Sequence, residues 1–179
     1  PRFFEIAWGA HYAGLYYTAC SSRLTADELS YIVNDCGAKV FITSRYKADV
    51  AAAIVPETPD LLLRLMVDGV VDGYESYETT VASYPAAPLE VRREGTDMLY
   101  SSGTTGRPKG VKPPLPDVEL GTSNALVGLT QLLFGFNADT VYLSPAPAYH
   151  AAPLRFCMSA MRVGGTVVIM EHFDPEQYL

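Results

Sequence analysis

Residues 100–110 read Tyr-Ser-Ser-Gly-Thr-Thr-Gly-Arg-Pro-Lys-Gly. From Ser101 to Gly110 there are four hydroxyl residues, three glycines, one lysine and one arginine, with no large apolar side chain among them. Such a run cannot hold itself together by packing. It suits a guest that is negative and rich in oxygen. Glycines let backbone N–H groups come close, hydroxyls donate hydrogen bonds and the lysine supplies a point charge. A polyphosphate is the expected ligand.

The spacing separates this run from the common NTPase loop, Gly-x-x-x-x-Gly-Lys-Ser/Thr. Here Lys109 follows Pro108 and precedes Gly110, and the hydroxyls come before the lysine. It is a different kind of phosphate loop. Arg107 is expected to face solvent, and Tyr100 to anchor the incoming strand rather than touch a ligand.

Composition narrows the remaining possibilities. The 179 residues are 49% hydrophobic and 18% charged, and the net charge is −7. A general nucleic-acid role is excluded, since one basic loop on an acidic chain points to a local phosphate site. Cys20, Cys36 and Cys157 are isolated thiols, an odd count without metal-ligand spacing, so they read as buried fillers in a reducing compartment. No apolar run reaches the roughly 18 residues a membrane-spanning helix needs. The first residue is Pro1, and Asp174-Pro175-Glu176 near Leu179 reads as a helix start. The chain is therefore expected to be a piece of a longer protein.

The elements that must position the loop can be read in order. Residues 2–17 predict a helix, with Ile6, Ala10, Ala13 and Tyr17 sharing a face and His11 a structural or surface histidine. Thr25 and Glu28 form a capping box for a helix through Leu29, Ile32, Val33 and Cys36, closed by Gly37. A strand buried on both faces is expected over 39–43, a helix capped by Ser44 through 48–54, a strand over 61–67 and a short helix over 74–83. Residues 84–88 read as a surface connector and 90–95 as charged and exposed. A strand over 96–100 feeds the loop, and an extended piece over 109–112 returns from it. A helix starting at 117 or 122 and ending at 134 carries the stripe Leu126, Leu129 and Leu133. A strand over 140–144, a helix over 151–163 and a strand over 166–170 follow. Leu154, Phe156, Met158 and Met161 read chiefly as core. Helices alternating with short apolar strands predict an α/β fold with largely parallel sheets flanked by helices.

The residues of the loop resemble the phosphate-loop signature of the adenylate-forming (AMP-binding) superfamily, over eleven positions. Other segments agree. Ala13-Gly14-Leu15-Tyr16-Tyr17, Arg23-Leu24-Thr25 with Glu28, and Gly37-Ala38-Lys39 resemble the fatty acid–CoA ligase (acyl-CoA synthetase) branch. So do residues 145–154, with their Pro-x-x-His core, and Gly164-Gly165-Thr166-Val167-Val168. The resemblance covers essentially the whole chain. It implies part of the large N-terminal domain of such an enzyme, spanning 1–179 with a sub-lobe junction near 84–95 and without the C-terminal lid domain.

The resemblance also implies chemistry. ATP and a carboxylic acid give an acyl-adenylate and pyrophosphate, and CoA then displaces AMP to give a thioester. Lys109 and the N–H groups of Gly103, Thr104, Thr105 and Gly106 would stabilise charge on the departing pyrophosphate. Ser101, Ser102, Thr104 and Thr105 would add hydroxyl donors, and Ser101 would touch magnesium. His150 would line the wall between nucleotide and acyl pocket, with Tyr149 as packing neighbour, whereas His172 is a surface residue. Lys109, Thr104 and His150 are the candidate catalytic residues. The adenine-binding Tyr-Gly-x-Thr-Glu segment, the ribose aspartate and the lid lysine do not occur in the 179 residues, so the chain alone is expected to be inactive. The parent would be cytoplasmic, at most peripheral to a membrane. Uncovered sheet edges would favour self-association into homo-oligomers. Two alternatives stay open: an aryl-CoA ligase or peptide-synthetase adenylation domain, and a non-catalytic nucleotide-binding or scaffold fragment.

Overall fold

A computed structural model describes residues 2–101 and 106–178. Helix α1 (Arg2–Tyr12) buries Phe4, Ala7 and His11. It stops short of Tyr17 because Gly14 turns to φ +68°, and β1 (Tyr16–Tyr17) begins there instead. A Cβ at Gly14 would also come within 3.1 Å of Arg93 Cβ. The buried face of α1 is thus one step round from the expected stripe of Ile6, Ala10 and Ala13, which are half-buried.

Helix α2 (Ala26–Asp35) carries the expected capping box, with Thr25 and Glu28 bonded reciprocally. Gly37 at φ +67° closes it, and the Ala38 N–H reaches back to the Val33 carbonyl at 3.2 Å. Strand β2 (Val40–Ser44) is followed by a 3-10 turn (Arg45–Lys47) and α3 (Ala48–Ile54). The Ser44 side chain makes no cap bond. Strand β3 (Leu63–Val67), β4 (Glu75–Ser76) and α4 (Tyr77–Ala82) complete this part. Strands β2, β3 and β4 form one parallel sheet with β3 at its centre. β2 is its edge, and Val40 is 49% exposed, so the expected burial on both faces does not occur there.

Strand β5 (Thr96–Asp97) pairs in parallel with β1 across the connector. Strands β6 (Leu99–Ser101) and β7 (Lys109–Val111) form an antiparallel ribbon. Helix α5 (Ala125–Phe134) is capped by Asn124, whose side chain accepts from the Val127 N–H at 2.9 Å. It buries Val127 and Thr130, while Leu129 and Leu133 of the expected stripe are exposed. An almost wholly apolar helix gives no sequence contrast by which to choose a face.

Strand β8 (Val141–Ser144), α6 (Ala151–Arg162) and β9 (Thr166–Ile169) make a βαβ unit with parallel strands. α7 (Pro175–Tyr178) starts with Asp174 accepting the Glu176 N–H. One core joins α1, β6 and α6 through Phe4, Ala7, Leu99, Leu154, Cys157 and Met158. Full burial of an aliphatic side chain such as Leu154 contributes roughly 1.5–3 kcal/mol. The core reading of the α6 stripe therefore holds, with Phe156 in a ring cluster with Phe134, Phe136 and Tyr142. The architecture is mixed α/β with mostly parallel pairing. No helix among the described residues is long and apolar enough to cross a membrane.

Candidate functional site: a phosphate loop on a two-stranded ribbon

The ribbon closes the loop at its base. Ser101 lies opposite Lys109, Tyr100 opposite Gly110 and Leu99 opposite Val111. Directly opposed residues on a ladder project to the same face, so Ser101 and Lys109 share one, and both are exposed. Leu99, in the α1/α6 core, fixes the inner end of the ribbon. Gly106, at φ +124°, holds a backbone conformation that favours glycine. The remaining candidate phosphate ligands, Ser102, Gly103, Thr104 and Thr105, lie outside the described residues.

Gly110 has a steric purpose. A Cβ there would come within 2.9 Å of Tyr100 Cζ and 2.9 Å of Met98 Cε. With glycine, the Tyr100 ring crosses the ribbon and its hydroxyl donates to Asp35 of α2. Burial, reinforced by that hydrogen bond to Asp35, pushes the Tyr100 phenol well above its ordinary pKa, so it stays a donor. Tyr100 is an anchor, as expected. Arg107 is exposed, as expected, but its guanidinium also rests 4.9 Å from the centre of the Tyr31 ring, a contact the loop sequence does not announce.

His150 occupies the N-cap of α6, exposed and without a side-chain cap bond. Its ring centre is 4.2 Å from that of Tyr149, the neighbour expected for it. No hydrogen bond or ring contact among the described residues joins His150 to Lys109. They are linked through scaffold. Arg155 of α6 grips Asp97 of β5 with two bonds, Nε to Oδ1 at 3.1 Å and Nη2 to Oδ2 at 2.7 Å. Asp97 stands two residues before β6, so the helix that His150 caps is tied to the strands that carry the loop.

A second polar cluster overturns an expectation. Residues 90–95 were expected to be exposed, yet Glu94 is only 4% exposed. It receives both Arg162 amino groups, the Gly121 N–H at 2.6 Å and His11 Nε2 at 2.5 Å. Burial alone would raise the Glu94 pKa, but Arg162, Gly121 and His11 together bring it below the ordinary value. Burial lowers the pKa of His11 despite the pull of Glu94, so the neutral ring donates through Nε2. Its Nδ1 is buried and has no hydrogen-bond partner among the described residues. This cluster ties α1, α6 and the start of β5 together, and His11 is structural, as expected. The sequence signal was slight, since the partners lie 83 and 68 residues away.

Burial holds two of the thiols in the protonated form. Burial, with a smaller push from Cys36, raises the Cys20 thiol to about 12, and burial also raises Cys157. Among the described residues all three thiols are unpaired; Cys157 is buried and the other two are half-buried. No cluster of three or more metal-ligating residues occurs among the described residues. Two open clefts have volumes of about 530 and 510 Å³. The first is beyond the carboxyl ends of β8 and β9 and includes Leu143, Ile169, Phe173 and the exposed His172. The second lies between α2 and Arg107.

Comparison with known proteins bears on the whole chain. The medium-chain acyl-CoA ligase Mig of Mycobacterium avium is 30% identical over 196 residues, covering 98% of this chain and 36% of that protein. A feruloyl-CoA synthase of an Amycolatopsis species is 31% identical over 180 residues, covering 98% and 33%. The apo structure of MbtA from Mycobacterium smegmatis matches with a TM-score of 0.77 at 26% identity, covering 98% of this chain and 33% of that one. The chain spans about a third of the length of the curated relatives it matches. The family model described as AMP-binding enzyme matches residues 1–179, and the chain belongs to that family.

Proposed function

We propose that this chain provides the phosphate-binding part of an enzyme that activates a carboxylic acid with ATP. The acid's oxygen attacks the α-phosphorus, the bond to the bridging oxygen breaks and pyrophosphate leaves. CoA thiol then takes the acyl group and AMP departs. The observation that carries this reading is Lys109 held opposite Ser101 at the mouth of the loop. There an ammonium can meet the charge that grows on pyrophosphate, and a hydroxyl can join the phosphate oxygens around magnesium. The N–H groups of Gly103, Thr104, Thr105 and Gly106 and the hydroxyls of Ser102, Thr104 and Thr105 would complete the cradle. His150, exposed at the start of α6, would orient the carboxylate.

The acid is proposed to be aliphatic, following the relative named as a medium-chain acyl-CoA ligase. An aromatic acid is the second reading, favoured by the relative named as a feruloyl-CoA synthase. These 179 residues should bind nucleotide without turnover. An ATP–pyrophosphate exchange assay on the chain, run with octanoate and with ferulate, tests this directly. Saturable magnesium–ATP binding with no exchange is the expected result. Sustained exchange would contradict the expected inactivity and would identify the acid. No binding at millimolar ATP would favour a scaffold without nucleotide chemistry.

A further inference from the structure

β7 has three residues, all exposed, and among the described residues it pairs with β6 alone. A two-stranded ribbon is marginal on its own, yet this one carries Lys109. The same device appears at both of its ends. Before β7 stands Arg107-Pro108, and after it Lys112-Pro113. Tyr31 of α2 donates its hydroxyl to the Pro108 carbonyl at 3.3 Å and takes the Arg107 guanidinium over its ring at 4.9 Å. Tyr16 of β1 donates its hydroxyl to the Pro113 carbonyl at 2.6 Å and takes Lys112 Nζ over its ring at 5.0 Å. Both tyrosines are half-buried, and their polar tips reach outward to the ribbon.

The chemistry of each partner explains the arrangement. Proline lacks an N–H and cannot extend the ladder, but its carbonyl still needs a donor. A phenol supplies that donor while its ring face attracts the preceding cation. Helix α2 adds a third hold, since Asp35, one turn after Tyr31, accepts from Tyr100 on the paired strand. The ribbon is therefore fastened to two separate elements, α2 and β1.

We propose that Tyr31 and Tyr16 are positioning residues that clasp the two ends of β7 and so fix Lys109 for phosphate. The proposal rests on the phosphate-loop reading of residues 101–110. Arg107 acts through Tyr31 here, as a ribbon anchor and not as a phosphate ligand. Preorganisation of this kind strengthens binding by removing the ordering cost from the encounter.

Two readouts on the 179-residue chain test the proposal. One is amide hydrogen exchange over residues 109–111, and the other is magnesium–ATP affinity by calorimetry. Tyr31→Leu and Tyr16→Leu should each raise exchange by roughly fivefold to tenfold and weaken ATP binding by a similar factor. Tyr31→Phe keeps the stacking and should fall between wild type and Tyr31→Leu. Arg107→Ala alters an exposed side chain without burdening the fold, and should reproduce part of the Tyr31→Leu effect. Combined with Tyr31→Leu it should add nothing further. A fully additive double variant would make Arg107 a direct phosphate ligand and overturn its role as an anchor. Unchanged exchange in both leucine variants, or raised exchange with unaltered ATP affinity, overturns the clasp. If wild type binds no ATP, the phosphate-loop reading fails and the positioning role with it, whereas exchange still reports whether the ribbon is clasped.

Discussion

Ser101 and Lys109 stand directly opposite one another on the β6–β7 ribbon, although eight positions of chain separate them. That pairing turns a glycine- and hydroxyl-rich run into a closed loop with a hydroxyl and an ammonium at its base. It depends on Leu99 being held in the α1/α6 core and on Gly110 leaving room for the Tyr100 ring.

Gly110→Ala is expected to destabilise the chain. The new Cβ would meet the Tyr100 ring at 2.9 Å, and that ring cannot swing away without releasing Asp35. The Met98 end can yield, so the cost should be about 1–3 kcal/mol. Urea denaturation followed by circular dichroism measures it. A midpoint equal to wild type would show that the ribbon accommodates the methyl.

Arg162→Ala should cost more, about 3–5 kcal/mol, because Glu94 would remain buried with its main countercharge removed. Adding Glu94→Gln should recover part of that loss by neutralising the buried carboxylate. The same denaturation series compares the three proteins. A double variant no more stable than the single one would contradict the account of a buried charge.

Stability should also fall with acidification in two stages. His11 has a folded pKa below its ordinary 6.5, so its contribution is complete above 6.5 and declines as pH falls toward the folded value. Glu94 has a folded pKa below its ordinary 4.5, so its contribution is complete above 4.5 and is lost as pH falls through the folded value. Glu5, Glu28 and Glu78 are also lowered and add to the second stage. The interval between 6.5 and 4.5 therefore isolates His11. The melting temperature of wild type should drop across it, and that of His11→Gln should not. Parallel profiles would assign the drop elsewhere.

These predictions separate what was legible in the sequence from what was not. The Thr25–Glu28 cap, the extent of α6 and the strand–loop–strand around residues 101–109 rest on local chemistry, and local chemistry is visible in a sequence. Glu94 was misread because a glutamate in a charged run looks solvated, and its partners come from α1 and α6. Tyr17 was assigned to α1 because apolar spacing continues past Gly14, where the backbone turns. The α5 face was missed because Val127 and Thr130 are flanked by equally apolar residues. Tyr31 carried no motif, and the segment that holds Tyr16 resembled the family without announcing a contact to the ribbon, since both roles depend on where α2 and β1 bring them.

The apolar face of α5 bears on behaviour in solution. Leu132 is 80% exposed, Leu133 61% and Phe134 59%, and Val141 on β8 is 70% exposed. Exposed apolar side chains of this size favour association. Light scattering on the isolated chain should show species larger than a monomer at micromolar concentration, reduced by Leu132→Lys. A monodisperse monomer would contradict this.

The most direct test of the central claim is a calorimetric titration of wild type and Lys109→Ala with magnesium–ATP. A hydrogen bond from a charged group contributes about 1.5–3 kcal/mol, so wild type should bind saturably and the variant roughly 10- to 150-fold more weakly. Equal affinities, or no binding by wild type at millimolar ATP, would contradict the assignment of Lys109 and its ribbon to phosphate.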